Sequence, residues 1–246
     1  MRFAAIADIH GNCVALEAVL ADIAGLGIAD VVNLGDHVSG PLEARRTADL
    51  LMERGFPCIK GDQDRRLVEL DLAGTGGPSR ADYRQLERGH LDWLASLPAT
   101  MTYRDDVFLC HGTPADDEAY WLQCVTSDGT VHASPIETVE AEASGVAASL
   151  ILCGHTHIPR VVRLRDGRLV VNAGSVGCPG YQYGKPVLHT VETGTPDACY
   201  AVLERTGHGW CVTFRYVPYD HMAMAEMARQ QGQPVWASAL ATGWVR

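Results

Sequence analysis

Five short apolar runs in this chain end abruptly in acidic or imidazole side chains, and that pattern limits the folds open to it. Phe3–Ala7 runs into Asp8 and His10, and Val31–Leu34 into Gly35-Asp36. Phe56–Lys60 ends at Gly61-Asp62, Val107–Cys110 at His111, and Leu150–Cys153 at Gly154 with His155 and His157 just beyond. Runs of this length suit buried strands. A charge left unpaired in mid-core is costly, so each polar terminus must reach a sheet edge. In open α/β sheets the crevice at the carboxyl ends of the strands is where ligands bind. Were these runs neighbours, three carboxylates and four imidazoles would converge there.

The intervening segments support this. Asn12 can cap a helix whose Leu16, Val19, Leu20 and Ile23 share one face, and Gly25 and Gly27 stop it. Pro41 is expected to open a second helix running to about Gly55. Strand, helix, strand, helix, strand predicts a parallel sheet. Gly74–Ser79 reads as a loop, Arg80–Ser96 as a helix, and Met101–Tyr103 with Val107–Cys110 as a hairpin. Gly112–Pro135 is polar and aperiodic, and Glu137–Ala148 is expected to be helical. Arg160–Leu164, Leu169–Val171, Val187–Val191, Cys199–Leu203 and Cys211–Tyr216 read as strands. Asp166-Gly167 marks a hairpin turn, and Asp220 caps a final helix. The expected whole is one α/β domain over residues 1–246 with a second, mainly antiparallel sheet.

Composition narrows the function. With 20 Lys+Arg against 30 Asp+Glu, the net charge of −10 argues against stable nucleic-acid binding. No apolar run reaches the length of a membrane helix, about 18 residues. The first apolar stretch meets Asp8 too early for a secretory signal. The 8 cysteines include no C-x-x-C pair and read as reduced thiols, which predicts a cytoplasmic protein.

Mixed Asp and His donors suit Mn, Fe, Zn, Co or Ni better than Ca or Mg. Seven donors exceed one tetrahedral site but fit two divalent ions sharing a carboxylate. Two ions about 3.5–4 Å apart can share a hydroxide nucleophile and clamp a phosphoryl oxygen.

Together these motifs resemble the calcineurin-like metallophosphoesterases. They stand here as Asp8-Ile9-His10, Gly35-Asp36, Gly61-Asp62-Gln63-Asp64, His111-Gly112 and Gly154-His155-Thr156-His157. Asn172-Ala173-Gly174-Ser175-Val176-Gly177 looks like a segment of the family's small prokaryotic phosphodiesterase branch. The resemblance implies a four-layer αββα sandwich, two mixed sheets flanked by helices, with the metal site at the strand carboxyl ends. It implies that Asp8, His10, Asp36 and His157 hold one ion. Asp36, Asp62, His111 and His155 would hold the other, with Asp36 bridging. His10 and Asp36 would also be catalytic. The implied reaction is phosphodiester hydrolysis of a small phosphoester or nucleotide by a metal-bridging hydroxide. Alternatives are a phosphomonoesterase, a dinucleoside-polyphosphate hydrolase, or a non-catalytic metal-binding scaffold. A homo-oligomer is left open.

Two positions depart from the family pattern. Asp62 stands where Asn is usual, which adds a negative charge beside an anionic substrate. Gln63 stands where many relatives have a His proposed to protonate the leaving group, and Gln cannot act as an acid. Asn12, His37 and Arg65 are the candidate substrate contacts, with Arg66 beside them. Tyr120, Trp121 and His132 are candidates for a lid. Ser175 lacks the G-x-S-x-G setting of a nucleophile.

Overall fold

The computed structural model describes residues 1–72 and 80–246. In chain order it runs β1 (Arg2–Ile6), α1 (Cys13–Gly25), β2 (Val31–Asn33), α2 (Ala44–Arg54), α3 (Asp62–Leu72), α4 (Arg88–Ser96) and β3 (Met101–Tyr103). Next come β4 (Val107–Leu109), β5 (Gln123–Val125), β6 (Val131–Ala133), α5 (Ile136–Glu142), β7 (Leu150–Cys153), β8 (Arg160–Arg163) and β9 (Leu169–Asn172). It closes with β10 (Gly180–Tyr183), β11 (His189–Glu192), β12 (Ala198–Thr206), β13 (Gly209–Val217), α6 (His221–Gln230) and α7 (Pro234–Thr242).

Two open mixed sheets face each other. One has the order β13-β12-β1-β2 and the other β3-β4-β7-β9-β8. Alternation along the strands assigns the layers. Phe3 and Ala5 of β1 meet Leu150 and Leu152 of β7 in a core between the sheets. Ala4 and Ile6, the opposite face of β1, pack on Leu16 and Val19 of α1. Ile151 and Cys153, the opposite face of β7, cluster with Val139 of α5. Helix, sheet, sheet, helix is the expected four-layer sandwich. β1 and β2 are parallel, as are β4, β7 and β9, so these strands bring their carboxyl ends to common edges.

Several expectations need correction. Of the strands in the last third, only β10 and β11 form an antiparallel sheet of their own. β12 pairs with β1 and β9 with β7, so both sheets are mixed. Phe56–Lys60 makes a single parallel bridge, Asn33 to Cys58, and the N–H groups that would extend it, those of Gly61 and Gly35, are bonded to Asp64 Oδ2 and Asn33 Oδ1 instead. The second helix starts at Ala44 rather than Pro41, with Glu43 as its N-cap and the Glu43 N–H bonded to Gly11 O. Arg80–Ser96 splits into a 3₁₀ turn at Tyr83–Gln85 and α4, with Leu86 extended between them. His90 Nδ1 accepts the Glu87 N–H and starts α4 afresh. Glu137–Ala148 is helical only to Glu142. The aperiodic stretch holds the β5–β6 hairpin, and neither β10 nor α7 was foreseen. The expected hairpins β3–β4 and β8–β9 form, and Asp220 caps α6 through the Ala223 N–H. The Gly74–Ser79 loop lies outside the described residues.

Candidate metal centre

Each predicted strand end delivers its side chain to one crevice. Asp8 and His10 follow β1, Asp36 follows β2, His111 follows β4, and His155 and His157 follow β7. Asp62 opens α3. Asp8, His10, Asp36, His155 and His157 all take left-handed backbone, with φ between 51° and 67°. Such a residue costs of order 1–3 kcal/mol and persists only where its surroundings hold it. Here cross-loop hydrogen bonds do so, from Asp8 N to Gly35 O and from His10 N to Asp36 O, both 3.0 Å. Close approach also demands glycine at position 61. A Cβ there would lie 2.2 Å from Asp36 Oδ1.

The four imidazoles share one arrangement. His111 Nδ1 lies 2.7 Å from Leu34 O, His157 Nδ1 2.7 Å from Cys178 O, and His155 Nε2 2.9 Å from Glu118 O. His10 Nδ1 meets Ser39 at its Oγ (2.9 Å) and its carbonyl (3.2 Å). Donation to a carbonyl sets the tautomer and leaves the other ring nitrogen a lone pair, as metal-ligating histidines require. Those free nitrogens face the carboxylates. His10 Nε2 is 3.1 Å from His157 Nε2 and 3.6 Å from Asp36 Oδ2, and His157 Nε2 is 3.5 Å from Asp8 Oδ1. His111 Nε2 is 3.5 Å from Asp36 Oδ1 and 3.4 Å from Asp62 Oδ1, and His155 Nδ1 is 3.2 Å from the same Asp62 oxygen. Thus Asp36 turns one oxygen to each half of the cluster. Bonds of 2.0–2.2 Å place donor atoms roughly 3.0–3.5 Å apart around one ion.

The donor set therefore fits a metal. Asp8, His10 and His157 form one compact group, Asp62, His111 and His155 a second, and Asp8, Asp36 and His111 link them. Among the described residues, Asp62 Oδ1 and His111 Nε2 are buried without a hydrogen-bond partner. Leaving such atoms unpaired costs about 1–3 kcal/mol each, and a cation between them removes that cost. Electrostatics agree. Burial pushes His111 and His157 down, but the carboxylates around them win and raise both well above the ordinary imidazole value. Burial would raise Asp8 and Asp62, but the imidazoles lower both. Protons and a divalent cation compete for these positions.

The two departures from the family pattern meet here. Asp62 Oδ2 accepts from Gln63 Nε2 at 2.8 Å and lies 3.1 Å from Arg66 Nη1. That leaves Oδ1 alone to face the histidines. Arg66 supplies a positive charge beside the extra carboxylate.

The three candidate substrate contacts are engaged elsewhere. Asn12 is fully buried; it caps α1 through the Ala15 N–H and donates to Gly177 O and Tyr219 Oη. His37 is fully buried against Asp64. Arg65 makes a two-pronged bond to Asp117 and a third to Glu69. Of the lid candidates, Tyr120 lines the cleft, Trp121 is core with its N–H on Val139 O, and His132 stands exposed on the β5–β6 hairpin. The Asn172–Gly177 segment braces the site. Asn172 donates to Gly154 O, and Ser175 Oγ to Asp8 O at 2.8 Å. Sequence reasoning missed Tyr181, Tyr183 and Trp236, which also line the cleft. They belong to no motif, and only folding brings Tyr181 against His157 and Trp236 against His10.

An open α/β sandwich carrying an Asp/His cluster on its strand ends defines a metallophosphoesterase-like architecture. Residues 1–194 match the calcineurin-like phosphoesterase superfamily domain, and the chain belongs to that family, whose members bind divalent metals. Its fold is similar to the crystal structure of a metallophosphoesterase from Sphaerobacter thermophilus, at 26% identity and a TM-score of 0.76. That match covers 99% of this chain and 100% of that one. An uncharacterized protein of Methanocaldococcus jannaschii is 26% identical over 198 residues, 72% of this chain and 76% of that one. Among the described residues, no helix is long and apolar enough to cross a membrane.

Proposed function

We propose that residues 1–246 act as one metal-dependent phosphodiesterase on small phosphoesters or nucleotides. In this reading Asp8, His10, Asp36 and His157 hold one divalent ion, and Asp36, Asp62, His111 and His155 hold a second. Mn, Fe, Zn, Ni and Co all suit this donor set. When bound, such ions lower the pKa of water and stabilise charge on the phosphoryl oxygens.

The observation that carries the reading is the common anchoring of four imidazoles, each leaving one nitrogen aimed at three buried carboxylates. The chain's own residues have separable tasks. Asp36, with an oxygen toward each half, sets the spacing between the two positions. His10 borders the cleft and can stabilise charge that develops there. Gln63 lines the same cleft but cannot donate a proton to a leaving group, which favours diesters and activated esters. The buried thiols Cys13, Cys58, Cys110, Cys153, Cys178 and Cys199 suit a reducing, cytoplasmic setting.

The test is turnover of bis-p-nitrophenyl phosphate and p-nitrophenyl phosphate by protein reloaded with Mn²⁺, Ni²⁺, Zn²⁺ or Mg²⁺. Metal-dependent diester cleavage exceeding monoester cleavage is expected. A monoester preference would overturn the diesterase reading. Metal binding without turnover of any ester would favour a scaffold.

A further inference from the structure

Each imidazole bordering the cleft carries an aromatic ring against it. Trp236 stands edge-on to His10 with ring centres 5.8 Å apart. Tyr181 meets His157 at 4.7 Å and Tyr120 meets His155 at 5.3 Å. The rings are only partly buried and, with Tyr183, wall a cavity of about 370 Å³ that the metal-donor residues also line. That volume is at the small end for ligand sites. The exposed amides of Gln182 and Gln233 lie on the same wall.

Trp236 has a built seat. Gly40 sits at φ +129°, and a Cβ there would come within 3.1 Å of the indole. Trp236 also lies on α7, outside residues 1–194 that match the family. The feature thus belongs to this chain's C-terminal part, which closes one side of the cleft. An aromatic wall beside charge-bearing donors is complementary to a molecule with a flat apolar ring and an anionic phosphate close together.

We propose that this cleft takes the organic group of the phosphoester as a planar aromatic ring, with Trp236 as its stacking surface. The substrates are then small phosphoesters of an aryl alcohol or a nucleoside. The inference rests on the phosphoesterase reading above.

Three diesters with one leaving group test it: the p-nitrophenyl esters of methyl phosphate, phenyl phosphate and thymidine 5′-phosphate. With manganese-reloaded protein, kcat/KM for the phenyl and thymidine esters is expected to exceed that for the methyl ester roughly tenfold, mostly through KM. Trp236→Ala should bring that ratio close to one, and Trp236→Phe should keep most of it. The thymidine-to-phenyl ratio separates a nucleoside from a plain aryl group. Calorimetric binding of methyl phosphate, phenyl phosphate and thymidine 5′-monophosphate supplies a readout that needs no turnover. Because all three esters carry the p-nitrophenyl ring, equal loss on all three in Trp236→Ala is decided by the monophosphates: with equal binding of these it would mean that the indole only orients His10, and would overturn the inference. So would equal binding of the three monophosphates. Aromatic preference in binding with no turnover of any ester would keep Trp236 as the ring-stacking surface but overturn the phosphoesterase reading, and with it the assignment of these molecules as substrates.

Discussion

His37 and Asp64 form a fully buried ion pair, Nδ1 to Oδ2 2.6 Å, directly behind Asp36. The same carboxylate accepts the N–H groups of Asp36 (2.8 Å), His37 (3.0 Å) and Gly61 (3.0 Å). It ties the loop after β2 to the start of α3, and so holds Asp36 beside Asp62. Burial pushes His37 down, but Asp64 outweighs it and raises the ring to about 10.

Asp64→Asn should therefore leave a buried charged ring without its partner. A loss of about 3–5 kcal/mol is expected in urea unfolding. Metal affinity should fall roughly 10- to 100-fold, as for other supports behind ligands. His37→Leu combined with Asp64→Asn, which removes the stranded ring but keeps an amide oxygen for the backbone N–H groups of Asp36, His37 and Gly61, should unfold less readily than Asp64→Asn alone. A double variant no more stable than Asp64→Asn would contradict the pair.

Asp36→Ala and His111→Ala should each leave a folded protein that binds less metal and turns over no ester. Gly61→Ala should do the same indirectly, because its Cβ would lie 2.2 Å from Asp36 Oδ1. Circular dichroism together with metal analysis separates loss of the site from loss of the fold. Full metal content with full turnover in Asp36→Ala would sink the bridging role.

Asp62 and Arg66 should act as a unit. Asp62→Asn alone leaves Arg66 facing a neutral amide, and Arg66→Met alone leaves the added carboxylate uncompensated. Either change is expected to alter metal affinity more than both combined. Additive effects in the double-mutant cycle would show that the two do not couple. Separately, Gln63→His should raise monoester turnover by restoring an acid near the leaving oxygen; a fall would argue against that.

Asp22 gives a pH signature far from the metal site. It accepts two bonds from Arg215 (2.5 and 2.7 Å) and one from Tyr200 Oη (2.6 Å), pinning α1 to β12 and β13. The Arg215 bond, against some opposing burial, lowers its pKa below 3.8. A depressed carboxylate contributes stability that is present above the unfolded value and lost as pH falls through the folded one. Asp22→Asn should cost roughly 1 kcal/mol at pH 7. The gap from wild type should narrow below pH 4. Urea titrations at pH 7, 4 and 3 measure it, and a constant gap would refute the assignment.

Much of the site was legible before folding because a strand cannot continue past an unpaired buried charge. Asp8, Asp36, His111 and His155 each stand just after an apolar run, and all reach the crevice. The partners of the candidate substrate contacts were not legible: Asn12, His37 and Arg65 bond Gly177, Asp64 and Asp117, residues 27 to 165 positions away. The third strand stops at one bridge for a similar reason, since Asp64 Oδ2 takes the Gly61 N–H that would prolong it.

The sequence by itself determined the α/β class, the parallel start and the candidate donor residues, because apolar periodicity and the cost of burying charge are local properties. Only the tertiary structure decided which oxygen of Asp36 faces which half, how Arg66 offsets Asp62, and that Trp236 closes the cleft. Those relationships join residues far apart in the chain. They depend on sheet register and on how the C-terminal helices pack, neither of which leaves a periodic trace in the chain.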